Sequence, residues 1–373
     1  MKKLFKLSQF DKYYFKQIIT YFFGSTAIFV LLFVLGQVRI ILETISLENL
    51  SFFYILRLLI LTIPMHLFIS MPVGLNLANA LLFGFMAVNS EILAIRSFGA
   101  KVEVFLKPVL IFALIVCFLV YLDMDFLYPY ANKIYLELLV KGQMKTIQSM
   151  LQEGKVMTYK NYKIYIGSSS GSSNDKTYYD VVITQSSSNS YNSVYAKKAK
   201  IEDNPSSLGL ISLTLIDGDY IINFQDKRNL IAKFDRLYLI FSKPDTITVG
   251  ESYLMYTIKR LNNTIKDFRS KDADRSSYRF IEEKLHFKIG LLISCILFAF
   301  AGFAIVKAFA RLNLGISLFT SICTIMIFYF IFIGLSKTLV ARTLIPIPII
   351  YYPLLGVIAL ISLILYFIGF IKN

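Results

Sequence analysis

Several stretches of this chain stay apolar for about 20 residues or more, the length a helix needs to cross roughly 30 Å of hydrocarbon. No other feature narrows the possible folds as far, because a segment in lipid must satisfy its own backbone amides as a helix or within a closed barrel. A chain of 373 residues with 56% hydrophobic and 17% charged residues fits an integral membrane protein. Its net charge of +15 is scattered along the chain, which suits interface anchoring and anionic lipid, not nucleic acid. Cys117, Cys295 and Cys323 all lie inside apolar runs and read as small buried residues, not as a disulfide or metal framework. The first apolar run is too long for a signal-peptide core and lacks a small-residue cleavage site, so it is expected to be a retained anchor.

Residues Met1 to Lys16 are basic and amphipathic, with Lys2, Lys3, Lys6, Lys12 and Lys16 against Asp11. Such a segment lies along the cytoplasmic face and fixes the N-terminus inside. A first span is expected over about Tyr21 to Ile41. The second apolar region, Phe52 to Phe85, would stretch about 50 Å as one helix, and Pro64 and Pro72 predict a bend. A third span covers about Val104 to Tyr121, and composition changes at Asp123. Met124 to Gln152 predicts a helical exit from the membrane. Strand character follows in Tyr162 to Ile166, Asp180 to Thr184 and Ile211 to Ile216. Turn signals include Asp217-Gly218-Asp219 and the Ser-rich segments Gly167 to Asn174 and Ser186 to Ser193. Short strands so spaced point to an all-β sandwich or jelly roll. Tyr253 to Arg279 reads as a polar helical return, and three spans follow at about Ile289 to Ala308, Leu314 to Leu335 and Ile347 to Phe370. The expected fold is therefore a membrane α-helical protein of six transmembrane helices with an inserted extracytoplasmic, jellyroll-like β domain. Its divisions fall at 1–122, 123–285 and 286–373.

Between the second and third spans lies a charged interruption, Asn89 to Gly99. Asn89 or Ser90 can cap a helix there, Glu91 falls in its first turn, and Gly99 offers a stop. At helical spacing Val88, Ile92 and Ile95 share a face, with Glu91 and Phe98 beside them. A carboxylate within an apolar stripe suits docking onto a partner. No Gly-x-x-x-x-Gly-Lys-Ser/Thr loop occurs, so any nucleotide energy must enter from another protein.

Catalysis finds little support. Gly167-Ser168-Ser169-Ser170-Gly171 matches the spacing of the serine-hydrolase elbow, but that elbow needs a strand-turn-helix setting and a histidine partner. His66 and His286 both fall in or beside apolar spans. No zinc-type spacing and no pair of carboxylates within a span occurs, so neither a metal nor a cofactor is expected. What remains is a set of cations near the outer ends of spans: Arg39, Arg57, Lys284, Lys288, Lys337 and Arg342. Singly they read as snorkelling anchors. Together they offend the positive-inside rule unless they meet an anion, and a phosphorylated lipid head group would suit them.

The architecture and several motifs resemble the lipopolysaccharide-export permeases LptF and LptG, the YjgP/YjgQ family. Phe10-Asp11-Lys12-Tyr13 resembles the family's L-D-R-Y entry, and Asn89 to Gly99 resembles its S-E-x-x-A-x-[R/Q]-x-x-G coupling helix. Tyr195 to Lys200 and Leu213 to Gly218 look like its A-K-x-A and L-x-x-G strands. Where many members read E-x-x-x-R-x-x-x-P, this chain runs from Glu282 to Gly290 with His286 and Gly290 in place of Arg and Pro. The resemblance implies a noncatalytic inner-membrane subunit that pairs with a second six-span permease as an LptF/LptG heterodimer. A cytoplasmic LptB-like ATPase dimer would grip the coupling helix through Glu91, Ile92, Ile95, Arg96 and Phe98. Lipopolysaccharide would leave the outer leaflet of the inner membrane for the periplasmic jellyroll and then LptC-like and LptA-like bridge proteins. Two other readings are a secondary transporter, which would want ionisable residues near the midplane and broken helices in both halves, and a membrane-anchored scaffold.

Overall fold

The computed structural model describes residues 9–44, 51–99, 102–150, 152–159, 162–171, 176–187, 190–203, 211–224, 229–242, 253–270, 275–308, 313–343 and 345–372. Six helical stretches are long and apolar enough to cross a bilayer: Asp11–Leu42, Phe52–Val88, Glu103–Gly142, Tyr278–Ala308, Leu314–Val340 and Ile347–Ile368. The first lies in α1 (Gln9–Thr44) and the second is α2 (Phe52–Val88), one helix that carries Pro64 and Pro72 inside it. Residues 9–16 belong to α1 itself, so the expected interfacial segment merges into the span, and its first eight residues lie outside the described ones. A seven-residue helix α3 (Glu91–Ser97) follows.

The third span departs from expectation. A 3-10 turn (Val102–Phe105), α4 (Leu106–Leu122), a π turn (Asp123–Leu127) and α5 (Tyr128–Met150) follow one another without a break. Asp123, expected to mark the exit, is instead buried within a helix that continues past it. Pro129 supplies the reason for the π turn. It has no N–H to give the carbonyl of residue 125, and its ring would collide there in an ideal α-helix. One extra residue in the preceding turn relieves both problems. The return to the membrane is α6 (Ile258–Ser270) and α7 (Arg275–Ala308). Span five combines α8 (Leu314–Phe328), a second π turn (Tyr329–Leu335) and α9 (Ser336–Arg342), and α10 (Ile347–Lys372) is the last.

The described chain parts into two compact units, Met1–Gly36 with Thr62–Asn132 and Val249–Asn373, and Gln37–Leu61 with Lys133–Thr248. In the first, α7 is the central post: 67% of its apolar window is buried, against 22% for α1. Phe298 and Phe303 of α7 join Phe83, Phe105, Phe328 and Tyr351 in one core. Polar stitches hold α8 to α2, where Asn76 Nδ2 donates to the Ser321 carbonyl (3.3 Å) and Ser317 Oγ to the Ala80 carbonyl (2.7 Å). Such bonds are favoured in lipid because no water competes for them.

The second unit holds the sheet. Its six antiparallel strands follow one another in chain order: β1 (Val156–Tyr159), β2 (Tyr162–Ser170), β3 (Thr177–Ser187), β4 (Ser190–Asp203), β5 (Ile211–Phe224) and β6 (Asn229–Ser242). The expected inserted all-β domain is thus present as a meander. One expected turn is not a turn: Asp217-Gly218-Asp219 lies inside β5, whereas Ser186 to Ser193 holds the reversal from β3 to β4, where Ser187 pairs with Ser190. A crease crosses the sheet at this level. Pairing skips Gly167, Asp180, Lys197 and Asp217 in successive strands, and Asp180 and Asp217 take left-handed φ values of 52° and 54°. Inward residues shift phase across it, from Tyr178 to Val181 in β3 and from Ala196 to Ala199 in β4. Each skipped residue faces a skipped residue on the next strand, so the register runs on unbroken while the apolar residues on both sides of the crease gather in one core. Gly218 is required there, since a Cβ would fall on the Tyr195 carbonyl. Lys197 Nζ pairs with Asp217 (2.7 Å) across the crease, and that carboxylate raises the lysine pKa.

Candidate functional site

The elbow expected at Asn89 to Gly99 exists as α3, but its face is turned. Ser90 adopts a left-handed φ of 59° and makes no side-chain cap, so the expected N-cap is absent. Gly99, with φ 76°, ends the helix as expected, and its N–H returns to the Arg96 carbonyl (3.0 Å). Ile92 is buried, and Ile95 packs partly buried against the core of its own unit. The outward apolar residues are Leu93 (68% exposed) and Phe98 (89% exposed), with Val88 beside them. Leu93 was not singled out by periodicity, because that signal groups residues without saying which group faces the bundle. Arg96 is half-buried, with Nη2 enclosed and without a hydrogen-bond partner among the described residues.

Two motifs that are far apart in the chain meet here. Tyr13 Oη of the Asp11-Lys12-Tyr13 entry donates to Glu91 Oε1 at 3.3 Å. Below that contact, Tyr14 packs edge-on against Phe105 (4.7 Å between centroids), and Phe105 against Phe83 (6.0 Å). These rings brace the ends of α1, α2 and α4 where α3 begins. Lys307 Nζ, at the end of α7, pairs with Glu103 Oε1 (2.7 Å) and lies over the Tyr366 ring (3.7 Å). Asp11, buried, lies 4.0 Å from Lys107. The result is a stiff mount carrying a short helix with two large apolar side chains exposed.

The six expected head-group cations divide. In the sheet-bearing unit, Arg39 and Arg57 are exposed on α1 and α2. In the other unit, Lys337 and Arg342 are exposed on α9. Lys284 and Lys288 are not: Lys284 is buried beside Glu283 (3.0 Å), and Lys288 is almost fully enclosed. Lys288 Nζ donates to Asp125 Oδ1 (3.0 Å) and to the carbonyls of Met124 (3.0 Å) and Tyr256 (2.9 Å). Asp125 in turn accepts the Ile258 N–H (3.0 Å), covering the first amide of α6. These contacts occupy the three donors of the ammonium.

The remaining candidates carry no catalytic geometry. Ser169 lies at the end of β2 and donates through Oγ (2.6 Å) and N–H (2.8 Å) to Glu153 Oε1, bonds that hold that carboxyl below its ordinary pKa. His286 Nδ1 is within 2.9 Å of Tyr352 Oη. Gly290 lets the Phe332 ring lie on α7, where a Cβ would come within 2.6 Å of it, so the residue that departs from the family pattern has a packing role. No group of three or more metal-ligating side chains occurs among the described residues.

No match was found among curated proteins. A family model described as the lipopolysaccharide export system permease LptF/LptG matches residues 12–367, nearly the whole chain. Six bilayer-length helices and an inserted antiparallel β domain agree with that match. The chain belongs to the LptF/LptG family of lipopolysaccharide export system permeases.

Proposed function

We propose that this chain is the noncatalytic transmembrane subunit of an ATP-driven exporter in the bacterial inner membrane. It extracts lipopolysaccharide from the outer leaflet and delivers it to the sheet, which lies in the periplasm. In this reading α3 faces the cytoplasm and fits a groove on an LptB-like ATPase dimer, with a second six-span permease completing the cavity and LptC-like and LptA-like proteins receiving the lipid. The observation that carries the reading is α3 itself: Leu93 and Phe98 point outward from a helix braced by Tyr14, Phe105 and Phe83. Exposed anchors at a helix-in-groove contact transmit force only when their base is rigid. Glu91 orients the edge of that face, and Ile92, Ile95 and Arg96 seat it on the bundle.

Co-purification of the ATPase with the tagged permease tests this reading. Glu91→Lys and Phe98→Ala are expected to lose the ATPase while leaving membrane insertion intact, whereas Tyr13→Phe, which removes only the bond to Glu91, retains it. ATPase recovered at wild-type yield with both of the first two variants would sink the coupling role. Arg39 and Arg57 remain the proposed phosphate contacts in their unit, and Lys337 and Arg342 in theirs. Lys284 and Lys288 would join them only if their carboxylate partners were displaced. Reversing Arg39 and Arg57 to Glu is expected to lower the phosphorylated glycolipid that co-purifies without disturbing ATPase assembly.

A further inference from the structure

Asp123 stands two residues before Asp125 on the same π turn and has none of its partners. It is buried, and neither carboxylate oxygen has a hydrogen-bond partner among the described residues. It forms part of the wall of a groove of about 510 Å³ between α2 and the third span, whose other walls are Leu67, Met71, Leu119, Leu122, Phe126 and Leu127. That volume falls within the range of about 300–1,000 Å³ typical of small-ligand sites. Asp123 therefore places an acceptor in an apolar cleft with no partner in hydrogen-bond geometry among the described residues.

We propose that this groove is a lipid site selective for a primary-ammonium head group of the phosphatidylethanolamine class. The ammonium donates to Asp123, and an acyl chain lies along Leu67, Met71 and Leu119. Tyr130, exposed at the rim of the same groove, offers its hydroxyl to the lipid phosphate. A quaternary choline has no N–H and leaves the Asp123 carboxylate without a hydrogen bond, which is the basis of the selectivity. A lipid fits better than a partner helix because helices pack closely in membranes over Gly, Ala, Ser and Thr, and apart from Asp123 these walls hold long aliphatic, thioether and aromatic side chains. The proposal rests on the membrane-spanning fold and is independent of the transport reading.

The test is native mass spectrometry of the full-length chain with competing phosphatidylethanolamine, phosphatidylcholine and phosphatidylglycerol of identical acyl chains. Wild type is expected to retain the ethanolamine lipid about tenfold over the choline lipid, the worth of one charge-assisted hydrogen bond. Asp123→Asn is expected to bring that ratio towards unity. Leu119→Trp, which fills the groove and leaves the carboxyl in place, should lower retention of all three lipids together. No ethanolamine preference in wild type, or the same preference in Asp123→Asn, overturns the proposal. A photoreactive residue at position 119 is expected to cross-link lipid in the assembled membrane. A protein adduct there would assign the groove to a partner helix and likewise overturn it.

Discussion

Asp123 and Asp125 share one turn of helix, yet their surroundings are opposite. Residues two apart on a helix point to nearly opposite sides, so Asp125 turns to α7 and α6 while Asp123 lines the groove beside α2. Asp125 is neutralised by Lys288 and also accepts a backbone amide; Asp123 has neither. The contrast separates two uses of a carboxylate in a membrane protein. A fully partnered one locks helices together, while an unpartnered one marks where something else binds. A third carboxylate, Glu103 at the other end of the bundle, is intermediate: it pairs with Lys307 but stays partly exposed.

The contrast can be broken by substitution, most sharply at Lys288. Lys288→Met strands Asp125 in the bundle and is expected to destabilise the protein by about 3–5 kcal/mol, read as a lower thermal unfolding midpoint in detergent. An unchanged midpoint would mean that the buried pair is not a lock. Replacing both partners, Asp125→Leu with Lys288→Met, should recover much of that loss, because an apolar pair of similar volume carries no desolvation penalty. Its residual deficit, about 1–3 kcal/mol, comes from the Ile258 amide left without its acceptor and the Met124 and Tyr256 carbonyls left without the lysine donor. If the double variant is as unstable as the sum of the singles, the two residues act separately. Glu103→Gln is expected to cost less, about 1–3 kcal/mol, because buried Lys307 loses its counter-charge while the amide oxygen can still accept its hydrogen bond. The smallest effect belongs to Asp123→Asn, which should leave the unfolding midpoint unchanged or raised while altering only lipid selectivity. A large loss of stability there would place Asp123 with Asp125 as a structural residue.

The helical spans were legible because bilayer length and apolarity are local properties of the chain. Tyr21 to Ile41 and Leu314 to Leu335 needed no partner to be recognised, and both lie in observed helices. The third span was cut short at Asp123 because two aspartates in a row of helix signal an exit when their partner is unseen. The answer to Asp125 is Lys288, 163 residues away. Asp217-Gly218-Asp219 misled for a related reason. Those residues favour left-handed backbone, which a turn and a creased strand both use, and only pairing with β4 and β6 distinguishes them. At α3, spacing found the helix and its stop at Gly99 but not which side faced out. Amphipathicity reports that two faces differ without saying which of them the bundle covers.

By itself the sequence determined that the chain spans a membrane, that a β domain interrupts the spans, and that a short charged helix joins the second span to the third. Each follows from backbone groups that must be satisfied within a few residues or within one strand pair. Tertiary structure decided which charges are locked and which are open, where the sheet is creased, and which side of α3 is presented. Those outcomes depend on contacts between distant segments. A buried charge has no stable state of its own in lipid, and its role is set by whichever group the fold brings to it.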